Sequence, residues 1–245
     1  MAEFAALAGL CPLDFDLVLL WTQIRCSTWD PEKVIPQLRE VIAADPDERR
    51  VRLTLAEGLR RLGSSAEAIE ALAPLGDSHP EATAIRVRLA IDQGDLAGAE
   101  AILSRGPADH PALAELRGEM ALARGNASAA VSQFRRALAA RPDDRSCLSG
   151  LAQALRLSGQ VPAAEPLLQV VHRHDTLINL TLSAADMTRR DDPKLLRDLG
   201  AACEALQLIP EARAWYDLAL VRDPLDSQTQ MALYRLRNAR SSAQP

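Results

Sequence analysis

The sequence predicts an all-α protein in which short antiparallel helix pairs stack into a solenoid. Two kinds of residue mark its corners at regular intervals: Pro46, Pro80, Pro111 and Pro142, and Gly63, Gly94, Gly125 and Gly159. The interval from Gly63 to Pro80 recurs unchanged from Gly94 to Pro111 and from Gly125 to Pro142. A recurring pair of short helices joined by such turns is typical of helical-hairpin arrays, which offer extended surfaces rather than enclosed pockets.

The pattern inside each period is amphipathic. After Asp144, apolar residues at positions 148, 151, 152 and 155 fall on one helical stripe, and Gly159 follows as a stop. A second stripe follows at positions 164, 167, 168 and 171. The period therefore consists of a helix, a glycine turn and a second helix.

Composition agrees with close-packed helices. Hydrophobic residues make up 48% of the 245 residues but aromatic residues only 3%, which disfavours a sandwich or a barrel. The net charge of −5 argues against a general nucleic-acid binder. Residues 1–48 contain nine acidic and three basic residues, so this stretch is an acidic module.

Several other classes are disfavoured. The four cysteines (Cys11, Cys26, Cys147 and Cys203) are scattered, which predicts neither a metal site nor a disulfide framework. No apolar run is long enough to predict a membrane span, and acidic residues interrupt the apolar stretch 7–21, so it is a poor signal peptide. We expect a cytoplasmic protein, although a signal or anchor upstream of Met1 would not be visible. Only two of the 28 basic residues are lysine, which suggests a GC-rich, bacterial genome.

The spacing resembles that of the tetratricopeptide repeat. A large and a small residue recur together at Leu55-Ala56, Leu89-Ala90, Met120-Ala121, Leu151-Ala152 and Leu199-Gly200. A small residue recurs in the next helix at Ala68, Ala99, Ala130, Ala164 and Ala212, followed four positions later by Leu72, Leu103, Phe134, Leu168 and Tyr216. A closing proline stands at positions 46, 80, 111, 142 and 224. The resemblance implies a right-handed superhelical solenoid of antiparallel helix pairs.

These markers predict the domain organisation. We expect N-terminal helices and a degenerate first repeat over residues 1–48, in which Trp21-Thr22 replaces the large-small pair. Four repeats follow at 49–82, 83–113, 114–144 and 145–178. We further expect an inserted helical linker at 179–192, a final repeat at 193–226, a capping helix at 227–239 and a tail at 240–245. The linker accounts for the excess length between Thr176, where a proline is expected, and Pro224.

Two repeats are short. The intervals from Pro80 to Pro111 and from Pro111 to Pro142 are three positions shorter than the interval from Pro46 to Pro80. In these repeats the large-small pair keeps its distance from the preceding proline, which predicts that the missing positions lie late in the first helix.

The resemblance implies that the first helix of each pair lines a groove that binds a peptide or a helix. The groove residues carried over from the family are Arg50, Leu53, Glu57, Arg60, Arg61, Ala84, Val87, Ile91, Glu115, Gly118, Leu122, Ser146, Ser149, Gln153 and Arg156. Its middle is small and apolar, with arginines at both ends, and this pattern favours a hydrophobic segment with acidic residues. In the alternative, the short helices close the groove and Val87, Ile91 and Leu122 are buried.

No chemistry-bearing constellation stands out. His172 and His174 are two positions apart and point to different sides of a helix, so they make a poor metal pair. No nucleophile elbow, zinc-protease, P-loop or dinucleotide motif is present. We therefore expect no catalytic residue, no metal and no cofactor.

The sequence favours a non-enzymatic scaffold or adaptor that binds a protein partner. The alternative is a non-catalytic subunit or a fragment of a larger protein whose catalytic or membrane part lies elsewhere. Self-association is a further option, in which the acidic module meets an arginine-rich surface of a second copy.

Overall fold

The protein is almost entirely helical. The computed structural model describes residues 14–76, 79–107 and 110–241. These residues form thirteen α-helices and no strand, which confirms the all-α prediction. In chain order the helices are α1 (Phe15–Arg25), α2 (Pro31–Ala44), α3 (Arg49–Arg61), α4 (Ser65–Leu72), α5 (Pro80–Asp92), α6 (Leu96–Arg105), α7 (Pro111–Ala123), α8 (Ala127–Ala140), α9 (Arg145–Leu157), α10 (Val161–Ala184), α11 (Pro193–Ala205), α12 (Ile209–Arg222) and α13 (Ser227–Ser241).

The chain divides into two compact units. The described residues between positions 30 and 169 form the first, here called the repeat unit, and those from 14 to 29 join those from 170 to 241 in the second, here called the terminal unit. The sequence predicts one N-terminal module over residues 1–48, but the structure divides this stretch: α1 belongs to the terminal unit, and α2 packs against α3 in the repeat unit. Residues 1–13 of that module and residues 242–245 of the predicted tail lie outside the described residues.

Helix pairs in the repeat unit turn at glycine, as the sequence predicts. Gly63 has a φ of 77°, in the left-handed region that only glycine adopts without strain. Its N–H donates to the carbonyl of Arg60, and the N–H of Ser64 donates to that of Leu59. The equivalent glycines at 94, 125 and 159 also have positive φ. Each turn thus satisfies carbonyls that the end of the first helix leaves open.

The shortened helix pairs are α3–α4 and α5–α6, whereas the pair α7–α8, between Pro111 and Pro142, has helices of full length. The residues are also lost in a different place from the one predicted. The first helices α3, α5, α7 and α9 contain 13 residues each. The second helices α4 and α6 contain only 8 and 10 residues, whereas α8 contains 14; α4 is followed directly by a 3-10 turn at Ala73–Leu75. The prediction of a loss late in the first helix is therefore wrong. The missing residues come from the end of the second helix and the turn after it, so Pro80 and Pro111 begin α5 and α7.

The contacts of two glycines show which positions of successive first helices are equivalent. A Cβ on Gly118 would lie 2.9 Å from the ring of Phe134, and a Cβ on Gly200 would lie 2.5 Å from that of Tyr216. The interval along the chain from the glycine to the ring that covers it is the same in both cases. The turn residues Gly125 and Gln207 also stand at equal intervals after Gly118 and Gly200, so the first helices align when positions are counted back from the turn. Counting forward from the closing proline fails, because α3 begins three positions after Pro46 whereas α5 begins at Pro80 itself.

Two arginines close the shortened second helices. The guanidinium of Arg86 donates to the carbonyls of Leu72 at 3.0 Å and Gly76 at 2.7 Å. Arg117 donates in the same way to the carbonyls of Leu103 (2.9 Å), Gly106 (3.0 Å) and Pro107 (3.1 Å). The last carbonyls of a helix have no partner within it. The two guanidinium groups thus take the place of the missing turns.

We expect the substitution Arg117→Met to lower the free energy of unfolding by about 1–3 kcal/mol, because the carbonyls around Gly106 lose a charged donor. The control is Arg124→Met. Arg124 pairs with Glu100 at the surface, where both side chains are more than half exposed, so its loss should cost less than about 1 kcal/mol. Urea unfolding measures both. Equal losses would contradict the role given to Arg117.

The excess before the last repeat lies in one long helix. α10 runs without a break from Val161 to Ala184 and contains 24 residues. Thr176, where the sequence expects a proline, lies inside it and bonds through its hydroxyl to the carbonyl of His172 at 2.9 Å. A short 3-10 helix at Met187–Arg189 follows. Residues 179–192 are thus partly the end of this helix and partly the turn into α11.

The terminal unit is built on α11 and α12. Buried Leu196, Leu199 and Trp215 form its centre, and α13 packs against α12 at the place where a capping helix is expected. Phe15 and Val18 of α1 belong to the same core. The first described helix of the chain is therefore part of the core of its last repeat.

Candidate functional site

The site predicted by the resemblance lies on the first helices of the repeat unit. On a helix, residues spaced by three, four or seven share one face. Counting back thirteen, ten, six and three positions from each turn glycine gives four rows, which together we call the first-helix face. The rows are Arg50, Glu81, Ala112 and Ser146; Leu53, Ala84, Glu115 and Ser149; Glu57, Arg88, Glu119 and Gln153; and Arg60, Ile91, Leu122 and Arg156.

With this alignment, two of the predicted groove residues, Val87 and Gly118, no longer belong to the face. Val87 is fully buried, and Gly118 lies against the ring of Phe134, so neither can contact a partner while its helix stays packed. Arg88 and Glu119 occupy the corresponding positions on the face. The turn glycines carry the signal that identifies both residues, since each lies six positions before one.

The predicted residues differ widely in exposure. Those exposed are Arg50, Arg61, Ser146, Gln153 and Arg156; those half-buried are Leu53, Glu57, Arg60, Ile91, Leu122 and Ser149; those buried are Ala84, Val87, Glu115 and Gly118. The middle of the face is thus partly filled, as in the alternative of a closed groove, but Ile91 and Leu122 keep part of their surface open.

Arg60 is already engaged within the chain. Its guanidinium donates to Glu57 at 2.9 and 3.0 Å and to Asp92 at 2.6 Å. The hydrogen bonds to Glu57 raise the pKa of Arg60 more than its burial lowers it. A partner carboxylate would have to compete with two internal ones, so Arg60 is a poor anion site.

Arg50 and Arg156 are the arginines of the face whose guanidinium groups form no ion pair with the residues that the structure describes. Their surroundings differ. Arg50 borders an open depression of about 450 Å³ lined by Asp47, Glu48, Arg49, Arg50, Leu53, His79 and Glu81. Three carboxylates near Arg50 weaken the field that a partner anion would meet there. Arg50 is therefore a poor anion site, and Arg156 is not among the residues that line this depression.

A charged cluster lies in the centre of the face. Glu115 is 3% exposed, and its two oxygens accept from Arg88 at 3.1 Å and Arg141 at 2.7 Å. Arg141 also pairs with Asp144 at 2.8 Å, and Asp144 caps α9 by accepting from the N–H of Cys147. A buried carboxylate needs such partners because an unpaired one is strongly destabilising. The centre that the sequence predicts to be apolar is thus an ion-pair network.

Part of this cluster has the composition of a metal site. Glu115, Asp144 and Cys147 each place one potential ligand atom within 4.8 Å of the others. Both oxygens of Glu115 are bound by guanidinium groups, however, and burial raises the pKa of the Cys147 thiol far above its ordinary value. Metals bind the thiolate rather than the thiol. The chemistry therefore favours a protein ion-pair network over a metal centre.

The comparisons with known proteins identify the repeats. Two family models, each described as a tetratricopeptide repeat, match residues 80–105 and 121–176. The chain contains tetratricopeptide repeats. The matched stretches cover α5 and α6 and, further along, α8 and α9, and both lie largely within the repeat unit. Among curated protein sequences, none matches this tetratricopeptide-repeat protein.

Solved structures with a similar arrangement share little sequence with it. The Cut9 and Hcn1 hetero-tetramer of APC/C contains a chain that is 14% identical, with a TM-score of 0.49; the match covers 91% of this protein but only 42% of that chain. YrrB, a tetratricopeptide-repeat protein described as having an unusual peptide-binding site, is 13% identical over 80% of this protein and 97% of its own chain, with a TM-score of 0.41. Human IFIT1, solved as a dimer with m7Gppp-AAAA, is 14% identical, with a TM-score of 0.39; the match covers 95% of this protein and 66% of the IFIT1 chain.

No helix among the described residues is both long enough and apolar enough to cross a membrane. A cytoplasmic location and a bacterial origin stay predictions.

Proposed function

We propose that this tetratricopeptide-repeat protein is a non-enzymatic interaction scaffold that binds a partner segment along the first-helix face. The supporting observation is the row Arg60, Ile91, Leu122 and Arg156, which takes one residue from each of four successive first helices. Two half-buried apolar side chains form its middle, and an exposed arginine ends it. Consecutive first helices contact one another, so the row is continuous.

The length of the row suggests the length of the ligand. Packed helices lie about 8–10 Å apart, so four of them span roughly 25–30 Å. An extended chain rises about 3.3 Å per residue, which corresponds to roughly eight or nine residues. A partner segment of that length, with apolar residues in its middle and an acidic residue at the end that meets Arg156, fits the chemistry of the row.

A selection from a random peptide library on the purified chain tests this function. We expect enriched peptides to combine apolar and acidic residues. The affinity of one such peptide, measured by fluorescence anisotropy, should fall at least about tenfold on the substitution Arg156→Glu. Arg50→Glu should cost less, because carboxylates already surround Arg50.

Arg135→Glu is the matched control, since it makes the same charge change at an exposed position of a second helix. The affinity of the Arg135→Glu chain for the selected peptide should stay within about twofold of that of the parent chain. Equal losses for Arg156→Glu and Arg135→Glu would mean that net charge and not the face determines binding. A library that yields no enriched sequence would also count against the proposal.

A further inference from the structure

The helix α1 packs with its apolar side chains against the other helices of the terminal unit. Phe15, Val18 and Trp21 recur at every third position of α1 and are 7%, 0% and 1% exposed. Phe15 meets the ring of Trp215 edge-on, with centroids 5.7 Å apart and an interplanar angle of 77°. The receiving surface belongs to α12 and to the cluster that contains Leu177 of α10. We call it the α1-receiving surface.

Polar contacts fix the direction of α1 on this surface. Near its middle, the indole N–H of Trp215 donates to the hydroxyl of Thr22 at 2.9 Å. At its C-terminal end, Arg25 lies 3.6 Å from Glu211, which is only 3% exposed. This ion pair makes the surface specific for a helix that carries a cation at its C-terminal end, because a helix without one would leave the buried carboxylate uncompensated.

The N-terminal end of α1 is held by a cation of the terminal unit. Arg190 pairs with Asp16, and its guanidinium carbon stands 4.7 Å from the centroid of the Phe15 ring. The surface therefore selects a helix with an acid near its start, apolar residues at every third position and a base at its end. The chain itself supplies a helix with this chemistry.

The connection that leads out of α1 is short. Thr22 and Trp215 are separated by 193 positions, and only the hinge between Arg25 and Pro31 joins α1 to the next helix. The left-handed φ of Ser27 (55°) belongs to the C-terminal cap of α1, in which the N–H of Ser27 donates to the carbonyl of Ile24 and the N–H of Thr28 to that of Gln23. The helix is thus complete before the connection begins. A short connection after a complete terminal element favours the exchange of that element between copies of a protein.

We propose that α1 exchanges between two copies of this chain, each copy placing its α1 on the α1-receiving surface of the other. Every contact made within one chain is available between two. The proposal concerns a surface distinct from the first-helix face and does not depend on the proposed function. A short tether holds each copy's own α1 near its receiving surface at an effective concentration in the millimolar range. This intramolecular binding competes with exchange, so the dimer should appear at high protein concentration.

Sedimentation of the full chain and of hinge variants tests the exchange. A chain lacking Ser27 and Thr28 loses roughly 7 Å of reach, which should prevent α1 from folding back and give a dimer at about micromolar concentration. Inserting Gly-Ser-Gly-Ser between Thr28 and Trp29 lengthens the tether and should shift the equilibrium towards the monomer. The same insertion between Pro142 and Asp143, in the turn between α8 and α9, is the matched control and should leave the equilibrium unchanged.

A folded deletion variant that stays monomeric would overturn the proposal, and so would equal shifts from the two insertions. A second measurement decides the case in which the deletion variant does not fold. A labelled peptide of residues 14–29 should bind the full-length Phe15→Ala chain at least about tenfold more tightly than the parent chain, whose own α1 competes. The same peptide carrying Phe15→Ala should not bind, because it lacks the edge contact with Trp215. Equal binding of the first peptide to both chains would overturn the proposal, as would tight peptide binding by a chain that is monomeric at every concentration.

Discussion

The substitution Trp215→Ala is expected to lower the free energy of unfolding of the terminal unit by about 3–5 kcal/mol, the range for removing a fully buried aromatic side chain. Trp215 is 0% exposed. Its removal opens a cavity between α12 and α1 and takes away the edge contact with Phe15. Amide hydrogen exchange should therefore become faster in α1 as well as in α12.

Two further variants separate the contributions of Trp215. Trp215→Phe keeps most of the volume but loses the donor to Thr22, so it should cost about 1 kcal/mol beyond the change in packing. Tyr234→Ala removes an aromatic side chain that is 68% exposed on α13 and should change stability by less than about 0.5 kcal/mol. If exchange in α1 were as slow in Trp215→Ala as in the parent chain, the dependence of α1 on Trp215 would be disproved.

Local patterns predicted most of the fold. The all-α class and the turn glycines follow from spacing alone, because a helix that ends at Gly63 or Gly94 needs the left-handed conformation that glycine provides. The bulky residues of the second helices, such as Phe134 and Tyr216, are buried where the resemblance implies. These features depend on residues within one repeat, so a sequence carries their signal directly.

The sequence alone did not show which residues of the short repeats are equivalent to those of the other repeats; the structure was needed for that. Measured from Pro80, Leu89 and Ala90 look like the large-small pair, and both are indeed buried. Only the equal length of the first helices shows that Val87 and Arg88 hold the positions of Ala56 and Glu57. Apolar residues are frequent on both sides of a first helix in a stacked array, so burial alone does not distinguish a shift of three positions, which is nearly one turn.

Two long-range features had no local signal. Trp21 and Thr22 fit the large-small pair of a degenerate first repeat, yet α1 is part of the core of the terminal unit, at a separation of 193 positions from Trp215. The ion pairs of Glu115 join helices that a sequence pattern cannot place beside one another. A charged residue on a predicted helix face looks the same whether water or a guanidinium group from another helix surrounds it.

The double substitution Arg88→Met and Arg141→Met is expected to lower the free energy of unfolding of the repeat unit by about 3 kcal/mol. Together these arginines bind both oxygens of Glu115, so their removal leaves a buried carboxylate without a cation. The loss should lie at the lower end of the range of about 3–5 kcal/mol for buried pairs, since the arginine side chains are 32% and 41% exposed and water can approach. Arg105→Met with Arg135→Met is the control, at two exposed positions.

Adding Glu115→Met to the double variant distinguishes a charge effect from a packing effect. Replacing every member of a buried ionic cluster by apolar side chains of similar volume is often neutral, because no group is then left uncompensated. The triple variant should therefore recover to within about 1 kcal/mol of the parent chain, although Asp144 also loses its contact with Arg141. Urea unfolding of the parent, double, triple and control chains measures this. A triple variant less stable than the double one would show that Glu115 is held by contacts other than its two arginines, and that the ion-pair network is not what organises the centre of the first-helix face.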